Sequence, residues 1–190
     1  MTTNRQKSFI ATLTLDQHHL NVLGALYENP VLRYDHSFSG GFYTGAPKTI
    51  DDAHLLGCRP QREVKNVQPM NIYFRCTDDY YHLYIRDHAT HTGYCLSKGR
   101  AGVLGAFLPA GSDTTSFNLL SHDNRIITLQ DMGGDRQRVR LKARNAGQIT
   151  ALRRRGAPYT YLAETDNTGL PFTLNIIERN ASFLSDPDEI

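Results

Sequence analysis

The chain lacks the short motifs that announce an enzyme. Its 190 residues contain no Gly-x-Ser-x-Gly, no Walker loop, no His-Glu-x-x-His and no paired zinc motif. Ser, His and Asp are present, but no spacing links them, so no catalytic residue is assigned and no cofactor is expected. Cysteine is scarce: Cys58, Cys76 and Cys95 are widely spaced, with no Cys-x-x-Cys. An odd, scattered set excludes a disulfide framework and predicts reduced, buried thiols. No run approaches the length of apolar sequence that a membrane-spanning helix needs. Threonines interrupt Ser8-Phe-Ile-Ala-Thr-Leu-Thr-Leu15 too often for a signal-peptide core. A cytoplasmic protein is expected, or one exported by a route the sequence does not display.

What is present is ordinary in bulk and uneven in detail. A length of 190 residues suits one sizeable domain with a full core, or at most two small ones. The net charge of +2 conceals an asymmetry: residues 125–155 hold nine Lys/Arg against Asp131 and Asp135, a local +7, and the remainder carries −5. The densest part reads Arg136-Gln-Arg-Val-Arg-Leu-Lys-Ala-Arg144. Side chains alternate across a strand. A period of two therefore sets Arg136, Arg138, Arg140, Lys142 and Arg144 on one face and Val139, Leu141 and Ala143 on the other. That pattern predicts a half-buried strand. Arg153, Arg154 and Arg155 follow one short strand later. Guanidinium groups favour planar, two-point contact with anions, so these eight cations are the candidate anion-binding residues. The competing expectation is a solvated face, neutralised by acidic residues elsewhere and guarding an edge against pairing. Nucleic acid is not favoured, because no aromatic residue interleaves positions 136–155 and the overall charge is near neutral.

From residue 71 onward, short apolar runs are separated by turn residues. Strands are predicted at 71–76, 81–86, 93–97, 102–108, 116–121, 125–130, 136–144, 148–153, 159–164 and 172–177. Tyr81, Leu83 and Ile85 share one face, and residues 8–15 alternate in the same way. Residues 16–27 fit either a short helix or a strand broken at Gly24. Residues 34–52 read as a long loop or irregular hairpin, and 1–7 and 181–190 as tails. The fold class is therefore all-β. Ile72-Tyr-Phe-Arg-Cys76, Phe117-Asn-Leu-Leu-Ser121 and Phe172-Thr-Leu-Asn-Ile-Ile177 recur roughly 45 to 55 residues apart. This rhythm predicts a single β-trefoil-like domain over 8–180, a six-stranded barrel capped by three hairpins. Its lobes are about 8–76, 77–121 and 122–180, the first irregular and extended.

Gly147-Gln-Ile-Thr-Ala151, Tyr161-Leu-Ala-Glu164 and Gly169-Leu-Pro-Phe-Thr-Leu174, opened by Leu141-Lys-Ala143, resemble one lobe of a fascin-like β-trefoil. In that family a small residue follows each inward-facing strand pair, and a Gly-x-x-Phe-x-Leu turn closes the lobe. The resemblance covers about 40 residues and extends loosely over 76–121. The chain has no Trp, so it departs from the Trp that often precedes the closing Phe and lacks the Gln-x-Trp signature of ricin-like trefoils. The resemblance implies a trefoil fold and actin as a partner.

Trefoil lectins hold sugars in shallow sites, where Asp or Asn accepts hydroxyl hydrogen bonds and an aromatic ring stacks on the apolar face. Residues 39–44, 87–94 and 164–169 are polar-aromatic loops of that type. Asp87, His88, Tyr94, Asp166 and Asn167 are the candidate glycan-binding residues. The same residue types also serve tight turns. His82, His88 and His91 near Asp87 and Cys95 are zinc-type ligands. No second pair completes a tetrahedral set, so no metal site is assigned. Titration of these histidines near pH 6.5, tuning binding, is a further expectation. The expected function is non-enzymatic recognition, lectin-like with a preference for acidic or sulfated glycans. The alternatives are actin binding or another acidic protein surface, with pairing of two copies, and a protease inhibitor acting through residues 34–52.

Overall fold

The computed structural model describes residues 2–28, 30–35 and 48–182. In chain order the elements are α1 (Asn4–Lys7), β1 (Phe9–Thr14), β2 (His18–Val22), α2 (Leu23–Tyr27), β3 (Leu32–Asp35), β4 (Lys48–Asp51) and β5 (Leu56–Pro60). They continue with β6 (Asn71–Thr77), β7 (Tyr80–Asp87), β8 (Cys95–Lys98), β9 (Leu104–Phe107), β10 (Phe117–Leu120) and β11 (Ile126–Ile127). The last are β12 (Arg136–Ala143), β13 (Gln148–Arg153), β14 (Thr160–Thr165) and β15 (Phe172–Arg179). The protein is all-β. No helix among the described residues is long and apolar enough to cross a membrane.

Six antiparallel strands close a barrel in the order β1–β6–β7–β10–β12–β15 and back to β1. Three hairpins stand outside it: β2–β5, β8–β9 and β13–β14. They meet one another through the pairs Thr160–Cys58, Tyr161–Gly57, Leu55–Gly105 and Val103–Ala163. The approach of β5 to β14 demands a glycine. A Cβ on Gly57 would stand 2.5 Å from the Thr160 carbonyl oxygen and 2.4 Å from Leu23 Cδ2.

Alternation decides what fills the barrel. Phe9, Ala11 and Leu13 on β1, Ile72, Phe74 and Cys76 on β6, and Tyr81, Leu83 and Ile85 on β7 all point inward and are buried. Phe117 and Leu119, Val139, Leu141 and Ala143, and Phe172 and Leu174 complete the core from the other three strands. Phe9 stacks on Phe74 at 4.6 Å between ring centroids, and Tyr81 meets both rings edge-on. The Tyr81 hydroxyl accepts a hydrogen bond from Leu129 N at 3.0 Å, which satisfies its polar end inside the core.

A second cluster, including Leu23, Leu26, Leu55, Val103 and Tyr161, lies under the hairpins. Asp52 is buried beside it. Its Oδ2 accepts from Arg33 Nε at 2.9 Å and from the Tyr161 hydroxyl at 2.7 Å. This contact fastens the β3–β4 excursion to the third hairpin.

Several segments differ from the sequence expectations for local reasons. Residues 16–27 are both strand and helix. His18–Val22 pairs with β5 along its whole length, and the next turn folds Leu23 and Leu26 into the second cluster. Residues 4–7, expected as tail, form a helical turn capped by Thr3, whose hydroxyl accepts from Gln6 N at 3.3 Å. Of 125–130 only Ile126–Ile127 pairs, because Thr128 caps a short 3-10 turn that Asp131 closes. Most of the expected 34–52 loop and the 39–44 polar-aromatic segment lie outside the described residues. The flanks of that loop pair as the β3–β4 hairpin. Residues 183–190 of the expected C-terminal tail also lie outside them, whereas Ala181 is buried and its N–H donates to the Ser8 carbonyl at 3.1 Å.

Candidate functional site

β12 presents its cations on the outer barrel wall, as alternation requires, but each meets a different environment. Arg136 is exposed and lies opposite Asn175 of β15. Arg138 forms an ion pair with Asp16. Arg140 donates through Nη1 to the His122 carbonyl at 2.9 Å and to Asn124 Oδ1 at 3.4 Å, while its Nε is buried without a partner. Lys142 is half-buried opposite Asn118 of β10. The Arg144 guanidinium lies 3.9 Å over the Tyr80 ring, within the range of cation–π attraction. The row is thus neutralised from within at Arg138 and stacked at Arg144.

Tyr80 in turn meets His82 edge-on at 5.8 Å. Burial pushes the His82 pKa down, and the charges of Arg75 and Arg144 push it further the same way. His82 is therefore a neutral ring at neutral pH. Register explains the cluster. Arg75 pairs with His82 across β6–β7, Tyr81 with Phe117 across β7–β10, and Phe117 with Ala143 across β10–β12. Arg144 N donates to the Ser116 carbonyl at 2.9 Å, continuing the row. The aromatic residues absent from 136–155 thus arrive from β7. The alternation along β7 signals them. If Tyr81, Leu83 and Ile85 face inward, then Tyr80, His82 and Tyr84 face outward.

The second cationic run sits on a hairpin rather than on the barrel. Arg153 and Arg155 are exposed, and Arg154 lies 5.6 Å over the Tyr161 ring. Arg153 lines a cleft of about 560 Å³ together with Asp16 and His18.

The candidate glycan residues fall on separate links. Asp87 is exposed at the end of β7. His88, His91 and Tyr94 pack in sequence, with centroids 5.1 Å and 5.2 Å apart. His88 and His91 border a cleft of about 360 Å³ with Asp51 and His54. Nothing in the sequence signalled His54. His82 stands apart from this group, and no set of three or more His, Cys, Asp or Glu among the described residues has the arrangement of a metal site. Burial lowers the His88 and His91 pKa values, and His88 and His54 lower that of His91 further. They titrate below the expected range, because the loop folds onto the protein. Asp166 and Asn167 are exposed in the β14–β15 turn, where Asn167 N donates to Thr165 Oγ1 at 3.2 Å. That contact is turn chemistry. The three cysteines are free and buried, and burial raises each thiol pKa. No protein family, curated protein or solved structure matches the chain.

Proposed function

We propose that this chain is a non-enzymatic recognition module of β-trefoil type, lectin-like, which binds acidic or sulfated glycans on its outer barrel wall. The trefoil plan is supported by the connectivity. Residues 8–76, 77–121 and 122–180 each supply two barrel strands with an outer hairpin between them, and the first also carries the β3–β4 excursion. The observation that carries the ligand class is Arg144 stacked at 3.9 Å on Tyr80, with His82 and Lys142 in the adjoining wall positions. The guanidinium held flat on the Tyr80 ring, with Lys142 nearby, offers positioned donors for the carboxylate or sulfate of a sugar.

Calorimetric titration with sulfated, uronate and neutral oligosaccharides, at low and physiological salt, tests the proposal. Acidic oligosaccharides bind and weaken as salt rises, because exposed charges are screened. Arg144→Gln and Tyr80→Ala each reduce binding about tenfold, the scale of a charge-assisted contact. Absence of binding by every acidic probe, or indifference to both substitutions, overturns it. Actin co-sedimentation in parallel reads the fascin-like alternative, which sedimentation without glycan binding would favour.

A further inference from the structure

A cleft of about 560 Å³ opens between the first and third outer hairpins, a size typical of small-molecule sites. Its wall is largely apolar, with Leu15, Pro60, Leu170 and Pro171 contributing. Arg138 of the outer wall reaches its edge through Asp16, but Tyr80 and Arg144, which carry the glycan proposal, are not in its lining, so the two proposals are tested separately.

The charge in the cleft is specific. Asp16 lines it, but Arg138 already pairs with that carboxylate. Arg153, also in the lining, is exposed, and its side chain makes no hydrogen bond or ion pair among the described residues. The uncompensated charge is therefore one guanidinium. His18 contributes a ring whose Nδ1 lies 2.9 Å from the Asp16 carbonyl oxygen. A carbonyl only accepts, so Nδ1 is the donor of that contact. The cleft thus combines aliphatic surface with one cationic fork.

We infer that this cleft binds a small amphipathic monocarboxylate, its apolar body against Leu15, Leu170 and Pro171 and its carboxylate on Arg153. A phosphate dianion is disfavoured, because one free guanidinium leaves its second charge unmatched. A neutral sugar is disfavoured, because aliphatic side chains and prolines leave most of its hydroxyls unpaired. Cys58, in its lining, is a buried thiol whose raised pKa keeps it neutral and unreactive.

Calorimetry and thermal shift on the full chain, with octanoate, 4-phenylbutyrate, butanoate, octanamide and octan-1-ol as probes, test the inference. Octanoate and phenylbutyrate bind and raise the melting temperature. Butanoate binds at least tenfold more weakly, for want of apolar contact. Octanamide binds weakly, for want of charge. Arg153→Gln lowers octanoate affinity about tenfold, Arg153→Lys less, and the exposed neighbour substitution Arg155→Gln not at all. Equal binding of octanoate and octanamide, equal binding of octanoate and butanoate, an unaltered Arg153→Gln, or no binding by any probe at millimolar concentration overturns it. All three substitutions are at arginines of the outer hairpin, outside the core, so a folding defect does not mimic the result.

Discussion

Asp52→Asn tests whether the latch between the β3–β4 excursion and the third hairpin governs stability. The Asp52 carboxylate is 2% exposed and accepts from Arg33 at 2.9 Å and Tyr161 at 2.7 Å. The Arg33 side chain is 12% exposed. Asn keeps one acceptor but removes the charge that faces a buried guanidinium. Breaking a buried pair from one side costs about 3–5 kcal/mol, and the retained acceptor sets the expectation at the low end, roughly 3 kcal/mol. For a chain of this length that corresponds to a fall in melting temperature of about 6–12 °C. Tyr161→Phe removes a hydrogen bond to a charged acceptor and costs about 1.5 kcal/mol. The two changes share one oxygen atom, so the double variant loses less than the sum, by about 0.5 kcal/mol or more. Burial and the Asp52 carboxylate both push the Tyr161 pKa up, so the phenol remains a donor and the latch holds unchanged from pH 6 to pH 9. Urea and thermal unfolding of the three variants read each quantity. A melting temperature for Asp52→Asn within about 2 °C of the wild type, or strict additivity with Tyr161→Phe, refutes the latch.

Three further outcomes follow from other contacts. Glu164 accepts from Lys98 at 3.1 Å and from Gly147 N at 2.8 Å, which holds its pKa below the usual carboxylate value. Its contribution is full above the unfolded value of about 4.3 and is lost as pH falls through the depressed folded value; Glu164→Gln therefore flattens the acid limb of the urea-midpoint profile below pH 5, and an unchanged limb contradicts this. Gly147→Ala places a Cβ 2.1 Å from the Thr165 carbonyl oxygen, so equilibrium unfolding shows a loss of about 2–3 kcal/mol, whereas a neutral effect denies the close packing of the β12–β13 link on the end of β14. Cys76, whose thiol pKa is pushed up to about 11 by burial, resists a disulfide reagent at pH 8 in the folded protein, as do Cys58 and Cys95, and all three react in urea; fast labelling without denaturant shows otherwise.

The legible part of this chain was the part written in local period. Val139, Leu141 and Ala143 alternate with cations, and Tyr81, Leu83 and Ile85 alternate with Tyr80, His82, Tyr84 and Arg86. Those patterns specify which face enters the barrel without any knowledge of neighbours. What each cation does was not legible, because its partner is chosen by register and by chain reversal. Arg138 finds Asp16 from 122 positions away, and Arg144 finds Tyr80 only because β10 aligns β12 with β7. The same holds for His54, which joins His88 and His91 through the packing of the first hairpin. Residues 16–27 were ambiguous for a related reason. The β5 edge recruits His18–Val22 as strand, and the cluster under the hairpins then takes Leu23 and Leu26 as helix. An outward-facing strand residue is under weak local constraint, so its role follows from what the closed barrel sets beside it. Along residues 136–144 that distinction separates Arg138, held by Asp16, from Arg144, which lies over the Tyr80 ring and forms no ion pair among the described residues. An external anion therefore competes with Asp16 at Arg138 but with no ion-paired acid among the described residues at Arg144, and glycan affinity falls more on Arg144→Gln than on Arg138→Gln.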